Sequence, residues 1–356
     1  MASIDKLPSG RWKARWRTPD RKQRAKVFLR KVDAERFLTS VEHEKLSGSY
    51  VDPRAGRVSF QEFAEQWRLA QIHRPTTREQ VEAMLRNHAY PAFGDRALSS
   101  IRPSELQTWV RSLEDQLAPS TVEVVGRHVV SVFRAAVKDR LIATSPADGL
   151  SFPKPVKQLV APLTVDQVMS ISEAIQPRYE ALVLLMAATG VRPAEAFGLV
   201  ADVYDFDAHR IVVEQQLVTI GGQPTFGPPK TEASNRTIPV PEFLSEKIRA
   251  HVESFGLGDQ DVLFSDAQGR LIRRNRFGEV WRQTMKGLEF DCVGPHQLRH
   301  HYASLLIAHG ESVKVVQARL GHSSASETLD TYAHLWPDSE DSTRAAVTEA
   351  YNGSSI

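Results

Sequence analysis

The sequence predicts a mainly α chain with small β-sheets, an α+β protein built in parts. Three observations predict it. Period-two alternation is confined to short stretches, at residues 12–16 and 210–214. Helical periodicity fills most of the rest. A proline-rich, basic stretch over residues 152–162 separates two blocks with patterns of their own. At 356 residues the chain has room for two or three domains.

Residues 4–31 read as a small sheet. In Trp12-Lys13-Ala14-Arg15-Trp16, aromatic and apolar side chains alternate with basic ones, which puts the two sets on opposite faces of a strand. Thr18-Pro19-Asp20 is a turn signal, and Ala25-Lys26-Val27-Phe28-Leu29 a second strand. A helix follows over residues 32–46, with Ala34, Phe37, Leu38 and Val41 on one face and Gly48 as its stop. Residues 49–57 carry Pro53 and Gly56 and read as a linker. From residue 58 to about 150 the pattern is helical throughout. One helix carries Phe60, Phe63, Ala64 and Trp67 behind Ser59 as cap. Further helices are expected over residues 77–89, 103–117 and 120–140. The last block opens on Thr164-Val165-Asp166-Gln167, the spacing of a capping box. A buried helix then ends at Thr189-Gly190. Residues 210–214, the Gly221-Gly222 turn and residues 236–240 predict one short antiparallel sheet, and helices resume near Pro241. The expected division is a domain over 1–50, a linker 51–57, a helical domain 58–152, a linker 153–162, a third domain 163–345 and a flexible tail 346–356.

Composition narrows the class. Hydrophobic content of 41% and charged content of 25% are those of a globular chain. The longest apolar run, residues 181–188, falls short of the roughly 20 residues of a membrane helix. The N-terminus carries no apolar signal region. The single Cys292 forbids an internal disulfide, suits a reducing cytoplasm, and reads as a small packing side chain. Charge is uneven. Eleven basic residues in the first 31 face only Asp5 and Asp20, leaving +9 there and −7 on the rest of a chain of net charge +2. Such a segment points to a nucleic-acid partner, with Arg11, Lys13, Arg15, Arg17, Arg21, Lys22, Arg24 and Lys26 as its candidate contacts.

The chemistry-bearing residues cluster late in the chain. His296-Gln297-Leu298-Arg299-His300 puts His296 and Arg299 on one helix face. Pro295 places them near the helix start, where backbone N–H groups favour an anion. Arg offers a rigid fork for phosphate oxygens and His can move a proton. A plain polar helix face is the other reading of this pair. His296 and His300 also have the i, i+4 spacing of zinc ligands, but Gln297 stands where zinc proteases carry their Glu, and Arg299 would set a fixed charge beside the metal. Arg192 stands between Gly190, which ends one helix, and Pro193, which starts the next; Glu195 at i+3 could orient it, or merely pair with it to support the fold. Lys230 looks like the tip of a hairpin, where most lysines are simply solvated. His322 in Leu320-Gly321-His322 sits at a helix-to-helix turn, as a cap or a ligand of an anion. Tyr332 falls on a helix; its phenol, with a pKa near 10, needs cationic neighbours to act as a nucleophile. Alone it reads as a core or interface residue.

The ordered set Arg192 with Glu195, Lys230, His296-x-x-Arg299, Gly321-His322 and Tyr332 resembles the tyrosine recombinase (phage integrase) family. The resemblance covers residues 163–340. Residues 58–150 resemble the family's helical core-binding domain, and residues 1–50 its arm-type DNA-binding domain, a three-stranded sheet with one helix. Gln297 and Pro193 depart from commoner family residues without removing a catalytic group. The resemblance implies a mixed α/β catalytic domain whose Tyr332 attacks a DNA phosphorus, giving a 3′-phosphotyrosyl link and a free 5′-hydroxyl. Arg192, Arg299 and His322 would hold the phosphate, Lys230 would protonate the leaving oxygen, and His296 would assist removal of the phenolic proton. It implies neither metal nor ATP, and no other cofactor. The implied partners are double-stranded DNA attachment sites of core and arm type, a homotetramer on DNA, a host DNA-bending protein and an excisionase. The implied place is the nucleoid in the cytoplasm of a bacterial host. Dimer resolution or transposon movement are alternative jobs for the same residues. Type IB topoisomerase-like relaxation and non-enzymatic DNA binding are further readings.

Overall fold

The computed structural model describes residues 2–19, 21–48, 50–155, 159–291, 293–336 and 340–352. Asp20 of the expected turn, Cys292, part of the second linker and residues 353–356 lie outside the described residues. The chain divides into two compact units, residues 1–156 and 157–356.

The first unit holds two cores. Strands β1 (Ser3–Lys6), β2 (Trp12–Arg17) and β3 (Gln23–Phe28) form an antiparallel sheet in that order, followed by helix α1 (Lys31–Leu46). Ala14, Trp16, Ala34, Leu38, Val41 and Tyr50 bury themselves between sheet and helix. The indole N–H of Trp16 donates to the Tyr50 hydroxyl at 2.8 Å. The second core is helical: α2 (Phe60–Ala70), α3 (Pro75–Met84), a π turn at Leu85–Ala89, α4 (Tyr90–Phe93), α5 (Pro103–Leu113) and α6 (Pro119–Lys138). Ser59 caps α2 as expected, accepting from the Glu62 N–H at 3.1 Å. The apolar positions of α6, from Val122 to Ala136, face inward. Residues 51–57 are packed rather than free. Asp52 pairs with Arg24 at 2.6 Å, and a Cβ on Gly56 would meet Ser99 Cβ at 2.8 Å.

The second unit is built around α8 (Pro177–Thr189), whose residues 181–187 are buried on every side, so the helix is central. It is preceded by α7 (Val165–Ala174), whose Thr164 and Gln167 close the capping box, and packs against α7, α10 (Glu242–Phe255) and α12 (Gln297–Ala308). After the short α9 (Pro193–Phe197) come two sheets, not one. Strands β4 (Tyr204–Asp205), β5 (Arg210–Val213) and β8 (Arg236–Pro239) form the first. Strands β6 (Gln216–Ile220) and β7 (Gln223–Gly227) form a separate hairpin about Gly221-Gly222. The buried residues Ile211, Val213 and Ile238 tie the three-stranded sheet to the core, whereas the hairpin anchors through Leu217. The remaining helices are α11 (Arg274–Lys286), α13 (Val313–Leu320), α14 (Ala325–Tyr332) and α15 (Glu340–Asn352). Residues 346–352 thus belong to α15 instead of a flexible tail. The run Arg344-Ala345-Ala346 and Glu349-Ala350 supplies good helix formers there. Among the described residues no helix is long and apolar enough to cross a membrane.

Candidate active site

The second unit gathers its arginines at helix C-termini. Gly190 closes α8 in the left-handed region at φ 65°, and a Cβ there would lie 2.3 Å from the Tyr302 ring, so only glycine fits. Its carbonyl accepts from Arg299 at 2.6 Å, and the Leu320 carbonyl accepts from the same guanidinium at 2.5 Å. The end of α13 repeats the device. Three successive carbonyls, of Arg319, Leu320 and Gly321, accept from Arg236, Arg299 and Arg192. These oxygens have no partner within the helix and sit at the negative end of its dipole.

The charges do not cancel. Glu195, 1% exposed, accepts from Arg192 at 2.8 Å and from Arg236 at 2.8 Å, while its carboxylate also caps the Arg192 N–H at 2.9 Å. Burial opposes ionisation of this carboxyl, but the bond to Arg236 and the charges of Arg236 and Arg192 win, holding its pKa below the ordinary value. Arg299, 1% exposed, is bound by carbonyls. Burial, and then the charge of Arg192, push its pKa down to about 9. Three guanidinium groups sharing one buried carboxylate leave an excess of positive charge, which favours an anion.

Around this charge stand Tyr332, His300, His296 and His322. Tyr332 is the last residue of α14 and 1% exposed. Burial raises its pKa to about 12, against the opposing pull of Arg299 and Arg192. Its hydroxyl lies 2.7 Å from His300 Nδ1. His322, buried just past Gly321, bonds Thr328 Oγ1 through Nδ1 at 2.8 Å, and its ring runs parallel to Tyr332 with centroids 6.3 Å apart. Burial, then Arg299, pushes its pKa down to about 4. His296 stands exposed at the N-cap of α12, its ring perpendicular to that of His300 at 5.0 Å. The protein packed around it, then His300, Arg299 and Arg192, hold its pKa low. The imidazole at the phenol is therefore His300, not His296, because position 300 lies one turn further along α12 toward α14.

Lys230 is exposed in the loop after β7, eight residues beyond the Gly221-Gly222 tip of the hairpin, and so does not form that tip. The loop nevertheless reaches the arginines: Thr231 bonds Ser234, and Ser234 accepts from Arg192 at 3.3 Å. The N-terminal basic residues divide by face. The register pairs Lys13 with Val27, Arg15 with Ala25 and Arg17 with Gln23, all opposite the buried Trp12, Ala14 and Trp16 face. Arg24 and Lys26 share the buried face. Arg24 is taken up by Asp52, and the Lys26 ammonium lies over the rings of Phe37 and Phe28, at 4.9 and 5.3 Å. Arg11, Arg21 and Lys22 lie in the turns flanking β2 and are exposed.

Three models of known families match in chain order. The phage integrase N-terminal domain matches residues 2–48, the phage integrase central domain 60–151, and the phage integrase family 161–338. The chain belongs to the phage integrase family. It is a tyrosine site-specific recombinase. It is 27% identical over 347 residues to a protein called an integrase of prophage phiRv2, from Mycobacterium tuberculosis, spanning 93% of this chain and 90% of that one. Its fold is similar to that of a Tn1549 transposon integrase in complex with a circular intermediate DNA, at a TM-score of 0.69 and 23% identity over 82% of this chain and 99% of that one. It is also similar to a lambda integrase dimer bound to a COC′ core site, at a TM-score of 0.63 and 17% identity over 94% and 96%.

Residue patterns alone missed four side chains of the recombinase. His300 carried a visible signal, its i+4 relation to His296, but the spacing suggested only a metal. Arg236, Ser234 and Thr328 gave none, since each meets the cluster through partners 41, 42 and 6 positions away.

Proposed function

We propose that the recombinase is an integrase of a phage or other mobile element, which cuts each DNA strand by attack of Tyr332 on phosphorus. Arg192 and Arg299 hold the non-bridging oxygens and stabilise the charge that grows on them. His322 and His296 add hydrogen bonds to the phosphate. Lys230, on a loop whose base is bound to Arg192, gives the 5′-oxygen its proton. The link to the 3′-phosphate conserves the bond energy, and the 5′-hydroxyl of a partner strand reverses the step. Two rounds pass through a four-way junction, carried by a homotetramer on core-type sites. Residues 1–50 serve arm-type sites, 58–152 the core site together with the catalytic residues 163–345, and a host DNA-bending protein and an excisionase set direction. The work takes place on the nucleoid of a bacterial host.

One observation carries this reading. The buried hydroxyl of Tyr332 is set within the field of two guanidinium groups that no carboxylate fully neutralises. The basic face of the N-terminal sheet favours an integrase over a resolving enzyme of the same family. The test is a nicked attachment-site duplex incubated with the protein in chelator. We expect a covalent protein–DNA adduct from the natural chain and none from Tyr332→Phe; an adduct from the variant would name another nucleophile.

A further inference from the structure

The hydroxyl of Tyr332 has a partner to which the sequence pattern gave no role in recombination. The Tyr332–His300 bond of 2.7 Å joins the helix that ends in the nucleophile to the helix that carries Arg299. The rings stand at 66° with centroids 5.5 Å apart, so the imidazole meets the phenol through its nitrogen edge rather than its face. Residue 300 lies next to Arg299, and its distance from Tyr332 is therefore fixed by the same seat that fixes the guanidinium, the carbonyls of Gly190 and Leu320.

We infer that His300 is the catalytic base that takes the phenolic proton as Tyr332 attacks DNA, an inference that rests on the strand-cleavage reading above. The phenolic proton passes to Nδ1, which requires the tautomer with its proton on Nε2. The phenolic oxygen's electron pair forms the new bond to phosphorus. The bond from phosphorus to the 5′-oxygen breaks, its pair leaves on that oxygen, and Lys230 supplies the proton that makes it a hydroxyl. His300 is left as imidazolium. When an incoming 5′-hydroxyl attacks the phosphotyrosyl link, its proton passes to the neutral Lys230 amine as its oxygen bonds phosphorus, and the same His300 nitrogen returns its proton to the departing phenolic oxygen.

The surroundings agree with that role. The groups facing His300 are Arg299 and His296 on α12 and Tyr332 from α14. Burial and then the Arg299 charge keep the His300 imidazole below its ordinary pKa, so it is neutral and free to accept at neutral pH. Tyr332, at about 12, is not ionised beforehand and must lose its proton during the attack. A DNA phosphate bound by Arg192 and Arg299 offsets the positive charge that weakens His300. The substrate thereby strengthens its own base, which keeps the nucleophile quiet until a phosphate is in place.

The experiment follows single-turnover adduct formation on the nicked duplex from pH 5 to 9, with the natural chain, His300→Phe and His300→Gln. We expect each variant to slow the adduct by about 10²–10⁴-fold and to replace the imidazole inflection by a rate that climbs into the alkaline range. Glutamine keeps a hydrogen bond to the phenol but cannot carry its proton, so a natural rate in His300→Gln would overturn the inference. The decisive arm places a difluorotyrosine, whose phenol is more acidic, at position 332. In His300→Phe it should recover at least about tenfold of the lost rate; a loss that fluorination does not mend would mean His300 only positions the ring. A natural chain that forms no adduct sinks the cleavage reading and this inference with it, whereas undiminished His300 variants sink this inference alone.

Discussion

The N-terminal sheet and the Tyr332 cluster use the same side chain in opposite ways. On the sheet, Lys13, Arg15 and Arg17 line one face of β2 and reach solvent, with Arg15 loosely paired to Asp5 at 3.4 Å. Around Tyr332, Arg299 and Arg236 are sealed from water and bound to named oxygens within 3 Å. Exposed charge acts by number and is screened by salt. Buried charge acts by position, since each guanidinium is fixed before substrate arrives and costs no reorganisation during reaction. The first arrangement suits affinity for a polyanion, the second suits one phosphate.

This contrast can be broken at either end. The largest effect is expected from Glu195→Ala, which leaves the buried Arg236 and the half-buried Arg192 without a counter-charge. We expect a loss of about 3–5 kcal/mol, read as the midpoint of denaturant unfolding; a stability loss below 1 kcal/mol would show that water reaches these arginines. Arg299→Ala should slow adduct formation by about 10²–10³-fold, whereas Arg17→Ala should leave the rate on a nicked core duplex unchanged. Equal effects would erase the distinction between the two regions.

Acid should separate them further. Burial holds His301 and His322 below the ordinary imidazole value of 6.5, His322 at about 4. As pH falls below 6.5 the unfolded chain therefore takes up protons first, and the folded second unit loses stability until pH approaches 4, by about 1.4 kcal/mol for each unit of depression. Thermal melts should fall between pH 6.5 and 4.5 and stay flat from pH 7 to 8. Removing residues 2–48 should flatten the dependence of DNA binding on salt. Lys13→Ala alone should lower the slope by about one, the smallest effect and the finest measure of whether that face touches phosphate. An unchanged slope in the deletion would remove the sheet from the DNA interface.

What could be read from the sequence was what is local. The Thr164 capping box, the Gly190 stop and the Arg192–Glu195 pair each lie within four residues, and each is present in the fold. The alternation of residues 12–16 gave β2 its two faces. In β3 the same alternation places Arg24 and Lys26 on the face of Trp16 and Ala14, which charge alone does not reveal. From the sequence Lys230 reads as a hairpin tip, whereas in the fold the tip forms at Gly221-Gly222. The pairing of His300 with Tyr332 spans 32 residues and two helices, and Arg236 reaches Arg319 across 83. No periodicity encodes such meetings. Main-chain acceptors are harder still to foresee, since a carbonyl has no letter of its own.

A point substitution at 319 or 320 exchanges a side chain but cannot delete the oxygen that receives an arginine. The sockets at the end of α13 are thus indifferent to which amino acids build the helix, provided it stops at Gly321. Adding or removing one residue within α13 would instead rotate all three sockets by about 100° around the axis, unseating Arg192, Arg236 and Arg299 together. Variation in this helix should be abundant in identity outside the buried Val316 and Leu320, and absent in length.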